Sequence, residues 1–413
     1  MKIGLDLDDT ICDFITPLTN YANKKVGLNI KFDDYLSYDF ADVWNMDPVT
    51  AQSIVTEFIF ENDGNNILNL PPIPGAIEKL KKIKSKINCE YYIISARDTR
   101  LLEITKEWIN KYFPINFING IEFGNIYSSD DKPKRSKYEM CKNRNVQFLF
   151  EDRIDHIRDC YIKFEGHFVS MCLNRPWNSY KQSGLNCIMF TQYQDIKVSD
   201  IVYQFTKLTK SQINSFRNIN IFKPIVIGIS GKIGSGKDTC ADILVETLSI
   251  FEKRFFAKRV KETVSALTET SIEYNMTQEG KTIIPEGFEE SLGRLQQLVG
   301  EGLREKIRED VWVKCILNKK IGKFTVISDC RYKTEARGIL NDTNINGILI
   351  RLEGDPKDVR KLNLAKRDLF HSSEVDLDEW PFEYVIYNEG ISLEDLKIKF
   401  LSIVYNFICG KIF

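Results

Sequence analysis

The chain has 413 residues, enough for two or three domains of about 150 residues each. Hydrophobic residues make up 43%, charged residues 28%, and the net charge is −1, which excludes a disordered, collagenous or coiled-coil chain. Neither side of residue 220 carries the basic excess of a domain that holds long nucleic acid, so a nucleic-acid polymer is not expected as a partner. Ten cysteines without a C-x-x-C pair, three histidines, and no apolar run of about 18 residues predict a cytoplasmic protein with reduced thiols. No zinc motif, membrane partner or signal peptide is expected.

In chain order, Lys2-Ile3-Gly4-Leu5 reads as a buried first strand that runs into Asp6-Leu7-Asp8-Asp9-Thr10. Residues 17–70 are rich in aromatic and polar residues and interrupt the pattern as a helical cap. A helix over 75–85, apolar at Ala76, Ile77, Leu80 and Ile83, precedes a strand Tyr91–Ile94. A second helix near 137–143 precedes a strand Phe148–Phe150. Residues 209–222 are polar and weakly periodic and read as a linker. After Pro224 the same pattern restarts, with a strand Ile225–Ile229 running into the Gly-rich stretch Gly231 to Thr239. The predicted class is α/β, with two doubly wound parallel-sheet domains: 1–208, with a cap at about 17–70, and 223–413.

Ligands of open α/β sheets bind beyond the C-terminal strand ends, which is where Asp6-x-Asp8-x-Thr10 falls. Two carboxylates two residues apart can share one cation and still differ in task. One can attack phosphorus and the other can protonate the leaving oxygen. Ser95, at the end of its strand, can bond a phosphoryl oxygen, and the basic run Lys132-Pro133-Lys134-Arg135-Ser136-Lys137 can neutralise the phosphate. Glu151-Asp152 ends the next strand and offers the oxygen ligands that Mg²⁺ prefers.

These residues resemble the haloacid dehalogenase superfamily of phosphatases and, within it, the 5′(3′)-deoxyribonucleotidase group. The resemblance covers residues 1 to about 195. Its marks are Asp6 to Phe14, Pro74-Gly75-Ala76, Ile94-Ser95-Ala96-Arg97, Phe150-Glu151-Asp152-Arg153 and Arg175-Pro176-Trp177-Asn178. It implies that Asp6 becomes an aspartyl phosphate and that Asp8 is general acid and base. It also implies that Asp6, the Asp8 carbonyl and Asp152 hold Mg²⁺. Lys137 best matches the family's phosphate-binding lysine, with Lys132 and Lys134 as competitors, and Phe40 and Trp44 of the cap are candidates for stacking on a base.

Gly231-Lys232-Ile233-Gly234-Ser235-Gly236-Lys237 fits the pattern G-x-x-x-x-G-K between a strand and a helix. Its glycines let backbone N–H groups curl around the phosphates of ATP, the helix N-terminus adds its dipole, and Lys237 reaches the β- and γ-phosphates. Asp238 stands where Ser or Thr usually meets the magnesium, so either Asp238 contacts the metal shell or Thr239 compensates. Residues 223–400 resemble bacteriophage deoxynucleoside monophosphate kinases. The marks are Gly236 to Thr239, Phe256-Ala257 with Lys261, and Leu295-Gln296-Gln297-Leu298 with Arg304. Further marks are Val326 to Arg331 with Glu335, His371-Ser372-Ser373-Glu374, and Tyr387-Asn388-Glu389-Gly390. Asp329 is expected to be the metal-facing acid at a strand end, and Lys261, Arg304 and Arg331 the partners of the acceptor phosphate. Arg360 and Arg367 precede His371 in a charged stretch read as a mobile lid.

The combined expectation is a bifunctional enzyme: a Mg²⁺-dependent 5′-nucleotidase-like phosphatase joined to an ATP-dependent deoxynucleoside monophosphate kinase. Deoxynucleoside monophosphates and ATP would be its ligands, with a homodimer left open. Two rivals stand beside it. One is a polynucleotide kinase–phosphatase acting on DNA ends, disfavoured by the even charge. The other is a fusion in which one domain only senses nucleotide. Possible base-edge readers are Asn20, Asn23, Asn45 and Gln52 in the cap and Asn275, Gln296 and Gln297 in the second half.

Overall fold

The computed structural model describes residues 1–126, 133–178, 184–216, 223–277, 279–317, 321–358 and 372–412. Its contacts divide the chain into two compact units, Met1–Phe216 and Arg217–Phe413.

The first unit is built on six parallel strands: β1 (Lys2–Leu5), β2 (Glu90–Ser95), β3 (Ile118–Phe123), β4 (Phe148–Glu151), β5 (Val169–Leu173) and β6 (Cys187–Phe190). Their order is β3-β2-β1-β4-β5-β6. The chain leaves β1 towards β2 on one side and leaves β4 towards β5 on the other. A crevice therefore opens between the C-terminal ends of β1 and β4, where Leu5 is in register with Phe150. Helices cover the sheet, and the Tyr92, Ile94 and Leu149 side chains pack into a cluster with Met140, Val146 and Phe168.

The cap lies within the β1-to-β2 connection. It consists of helices Ile15–Val26, Phe40–Trp44, Pro48–Phe60 and Asn65–Leu68. Its own small core holds Tyr35, Trp44 and Phe58, with the Trp44 Nε1–H donating to the Tyr35 hydroxyl at 2.8 Å.

The second unit carries five parallel strands: β7 (Ile225–Ser230), β8 (Glu252–Arg254), β9 (Phe324–Cys330), β10 (Asn346–Glu353) and β11 (Tyr384–Tyr387). Their order is β11-β10-β7-β9-β8. Connections leave β7 and β9 in opposite directions, so this crevice lies between those two strand ends.

The expected linker begins too early. Residues 209–216 continue the helix Val198–Phe216, and Thr209 and Gln212 are buried against the first unit. The Gln212 amide donates to Gln147 Oε1 at 2.5 Å. Buried polar residues, one of which finds a partner in Gln147, blur the helical periodicity without ending the helix. No helix among the described residues is long and apolar enough to cross a membrane.

Candidate active sites at two strand crevices

In the first unit, β1 delivers Asp6 and the following turn delivers Asp8 and Asp9. Asp9 takes a left-handed backbone (φ +57°), and its buried carboxylate accepts the N–H groups of Phe14 and Ile15 at 3.1 and 3.0 Å. This fixes the start of the first cap helix relative to the acidic turn. Asp8 is held by Arg97, whose Nε and Nη2 donate to the two carboxylate oxygens at 2.9 and 2.6 Å. The guanidinium is braced from behind by Thr105 at 2.9 Å.

Lys137 enters from the first turn of the helix Lys137–Arg144, which a Ser136–Glu139 capping box starts. Its ammonium is buried, donates to Asp6 and to the Ile94 carbonyl, and lies 3.2 Å from Glu151. Of its competitors, Lys134 is exposed and Lys132 lies outside the described residues. Ser95 ends β2 fully buried, and its hydroxyl accepts the Arg97 N–H at 3.2 Å.

Asp6, Glu151 and Asp152 bring carboxylate oxygens within 4.8 Å of one another, the one such acidic group among the described residues. All three are buried, and burial with mutual repulsion drives the Asp6 carboxyl up to about 8 and Asp152 well above the usual carboxylate range. Against the burial that would raise it, Lys137 and His156 hold Glu151 well below that range. One lysine does not balance three buried carboxylates. The donor set is hard, oxygen-only and short of positive charge, so it fits a divalent cation such as Mg²⁺. The Asp8 side chain, committed to Arg97, does not join this group. Only its carbonyl remains as the expected contact.

Three residues whose roles were not read from the sequence complete the site. Trp177 Nε1–H donates to Asp152 Oδ2 at 2.9 Å, Asn178 donates to the Asp152 carbonyl at 2.5 Å, and Arg175 grips the Asp9 carbonyl at 2.8 and 3.0 Å. Their proximity in sequence after an apolar strand was the available signal.

A cavity of about 630 Å³ opens over Asp6 and Asp8. Its walls include Phe40, Tyr38, Val55 and Phe60 from the cap and Arg97, Arg100 and Trp177 from the sheet side. Phe40 thus faces the space where a base would stack, while Trp44 does not. Trp44, one helical turn along on the same side with its ring 5.2 Å from that of Phe40, is buried in the cap core. Of the four proposed cap readers, Gln52 lines the cavity. Asn23 instead bonds the Ile30 backbone at 2.8 Å, and Asn45 closes the helix Phe40–Trp44 in a left-handed conformation.

In the second unit, Gly231 (φ +148°) and Gly236 (φ +95°) make the loop after β7 possible. A Cβ on Gly231 would meet the Leu352 carbonyl at 2.4 Å, and one on Gly236 would meet Asn388 Nδ2 at 2.6 Å. Gly234 (φ +82°) supplies a third left-handed turn, and the loop feeds the helix Lys237–Thr247. Asn388 donates to the Ser235 carbonyl at 2.9 Å and pins the loop from β11's side. Lys237 is buried and turned onto its own loop, donating to the Lys232 carbonyl at 2.7 Å. Burial and the nearby Arg331 pull its ammonium down to about 8.

Asp238 is exposed, accepts the Ser328 hydroxyl at 2.6 Å and lies 3.4 Å from Lys253, while Thr239 is exposed. Asp329 departs from expectation. Its two oxygens accept the N–H groups of Phe256 and Ala257 at 2.8 and 2.9 Å, and burial raises its carboxyl. The β7–β9 register shifts beside these two residues, and Ser328 bonds Asp238 at the end of the Gly-rich loop while Asp329 anchors the helix Ala257–Thr268. Asp329 is therefore not a metal-facing acid in this structure. It is a brace for the helix that carries Lys261.

Arg304 donates to Glu335 at 3.0 Å and lies over the Tyr332 ring, and Arg331 pairs with Glu374. Glu335 is buried, which pushes its carboxyl up to about 7. Asn275 is a buried structural amide donating to Ser265 and Thr270, and Gln296 donates to its carbonyl. Gln297 accepts from Arg294 on the exposed helix face. Arg360, Arg367 and His371 lie outside the described residues.

The family described as 5′ nucleotidase, deoxy (pyrimidine), cytosolic type C, matches residues 1–162. A Bacillus cereus protein that carries a nucleotidase name is 29% identical over 154 residues, which is 37% of this chain and 77% of that protein. The N-terminal unit is thus similar to these 5′-nucleotidases over residues 1–162. A protein of Acanthamoeba polyphaga mimivirus, named as a deoxynucleotide monophosphate kinase, is 25% identical over 199 residues, covering 44% of this chain and 97% of the relative. Among solved structures, a haloacid dehalogenase-like hydrolase from Streptococcus pneumoniae aligns with 49% of this chain and 97% of its own, at 15% identity and TM-score 0.36. A "predicted phosphatase" from Clostridium acetobutylicum aligns with 49% and 98%, at 15% identity and TM-score 0.37.

Proposed function

We propose that the N-terminal unit is a Mg²⁺-dependent deoxynucleotide 5′-phosphatase and the C-terminal unit an ATP-dependent deoxynucleoside monophosphate kinase. The observation that carries the first half is the buried Asp6–Lys137–Glu151–Asp152 group beneath a capped, largely apolar cavity. The family match over residues 1–162 supports it.

In this reading Asp6 Oδ attacks phosphorus, the bond from phosphorus to the 5′ oxygen breaks, and Asp8 gives that oxygen its proton. Asp8 then takes a proton from water, whose oxygen attacks the aspartyl phosphate and releases inorganic phosphate and free Asp6. Lys137 neutralises the phosphoryl oxygens. Arg97 keeps Asp8 aimed, and Asp6, Asp152 and the Asp8 carbonyl would hold the cation, with Glu151 beside them. The cation supplies charge that lets Asp6 ionise and that offsets the incoming phosphate. Phe40 and Tyr38 offer the base a stacking wall.

The kinase half rests on the Gly-rich loop with Lys237 at a β7–β9 crevice, and is supported by the mimivirus relative's name. The terminal phosphoryl of ATP would pass to the monophosphate of the acceptor, leaving ADP and a diphosphate. Lys237 would meet the transferred group, and Arg331, Arg304 and Lys261 the acceptor phosphate. Asp238 with Ser328 would face the nucleotide's magnesium.

Two opposed activities on one substrate would only consume ATP. The fusion gains sense if the two sites choose different bases, with the phosphatase removing one monophosphate and the kinase raising others. A site built to hydrogen-bond one base edge can reject another by about 10⁴ or more. The test ranks kcat/KM for each deoxynucleoside monophosphate at both sites, following phosphate and ADP release. We expect opposite rank orders. Matching orders defeat the idea of base selection, and no release of phosphate from any of them defeats the phosphatase.

A further inference from the structure

The Gly-rich loop is closed on its outer side by a short acidic stretch. Glu374, Asp376 and Asp378 alternate along it, and each is engaged. Asp378 pairs with Lys232 at 2.8 Å and Arg351 at 3.0 Å. Asp376 accepts the Lys333 N–H at 2.6 Å, at the start of the helix Lys333–Asn341. These three contacts tie the stretch to the Gly-rich loop, to β10 and to the helix that follows β9.

Glu374 does something different. One carboxylate oxygen accepts the N–H of Ile233, inside the loop, at 3.1 Å, and the other pairs with Arg331 at the end of β9. The residue is 9% exposed. A loop N–H and a guanidinium are the donors that a phosphoryl group takes from such a site. Two further polar groups of the loop stand ready beside this seat. Lys237 folds back on the Lys232 carbonyl, and the Ser235 hydroxyl is fully buried beside Gly231 without a hydrogen-bond partner.

We propose that the seat between the Ile233 N–H and Arg331 is a phosphate-binding site whose resident occupant is the Glu374 carboxylate, which a nucleotide phosphate must displace. The proposal rests on the kinase reading. Its physical content is competition: the fraction of molecules with Glu374 seated cannot receive the phosphate, so apparent affinity is reduced by that fraction. Once displaced, Glu374 also frees Arg331 for the acceptor phosphate, so filling the loop with ATP and arming the guanidinium become one event.

The test is calorimetric titration of the full chain with Mg²⁺ and ATP, comparing wild type, Glu374→Gln and Lys237→Ala. Glutamine keeps the size and one acceptor but loses the charge that Arg331 holds. We expect Glu374→Gln to bind ATP about fivefold or more tightly than wild type, and Lys237→Ala to bind far more weakly. If Glu374→Gln binds equally or more weakly while Lys237→Ala loses binding, the resident-anion proposal is overturned and the kinase reading stands. If neither wild type nor Glu374→Gln binds ATP, or Lys237→Ala binds as wild type does, the kinase reading fails and takes the proposal with it. A second measurement needs no substitution. Amide exchange over 372–378 should speed up when ATP is added, while that of the loop 231–237 slows. Slower or unchanged exchange over 372–378 counts against displacement.

Discussion

At the end of β1 the chain gathers acids, and at the end of β7 it gathers bases. Asp6, Asp8, Asp9, Glu151 and Asp152 crowd around Lys137 and Arg97 in the first crevice. In the second, Lys232, Lys237, Arg331 and Arg351 meet Glu374 and Asp378. The backbone solution is the same in both: a buried parallel strand, a turn, and a helix start at the point where the connections diverge. What differs is the sign of the charge that each site concentrates. The first gathers carboxylates, and burial with their mutual repulsion pushes Asp6 and Asp152 up. The second gathers cations, and burial with the nearby Arg331 pulls Lys237 down.

Five experiments would break or sharpen this contrast. Asp6→Asn should lower phosphate release by about a thousandfold or more, because an amide cannot form the acyl phosphate. ATP-dependent phosphorylation by the same protein should be unchanged, and a joint loss would mean that the two charge centres are not independent. Lys237→Ala should lower ADP formation by about 10²–10³-fold and leave phosphate release intact. Arg97→Ala should lower the phosphatase kcat by about a hundredfold through misplacement of Asp8, with KM little changed and the pH profile altered. A merely structural Arg97 would leave that profile alone.

The fourth test is pH. Lys237 is protonated below about 8 when the loop is empty, and bound phosphate favours the ammonium. Binding above that pH must therefore take up a proton, so ATP affinity should fall as pH rises past about 8, by at most about tenfold per unit. Titrations in buffers of different ionisation enthalpy would show the proton uptake, and a flat profile would refute the depressed lysine. The smallest effect is expected of Asp238→Ser, less than about tenfold in ADP formation, because serine keeps an oxygen towards Ser328.

The acids and the Gly-rich loop were legible in the sequence because each follows an apolar strand, and strand ends are where such sheets place ligands. Lys137 was legible less directly, as the lysine of a basic run that best matches the family's phosphate-binding lysine, and the structure adds the capping box that sets the first turn of its helix. Asp329 was misread because an acid after an apolar strand resembles a metal ligand. The pattern does not say which of Ser328 and Asp329 meets the loop, and the irregular β7–β9 register beside them breaks the simple alternation. Phe40 and Trp44 share a five-residue helix, yet one lines the cavity and the other fills the cap. Sequence spacing could not separate them without knowing where the cap meets the sheet. The clamp of Arg97 on Asp8 joins residues 89 positions apart and depends on β1 lying beside β2 in register.

The position of the cap inside one crossover has a consequence for how such a protein can change over generations. Residues 15–68 leave the sheet just after the acidic turn and return before the helix Ala76–Lys86. Most of the cavity's far wall is therefore written in one uninterrupted stretch of gene, while the Asp6, Lys137 and Asp152 chemistry is written elsewhere. Mutation, or exchange of that stretch alone, can retune which base is accepted without disturbing the reacting groups. The constraint on such drift is local: any replacement must still offer Asp9 two backbone N–H groups at its start and a hydroxyl in the place of Tyr38, 3.1 Å from the same carboxylate.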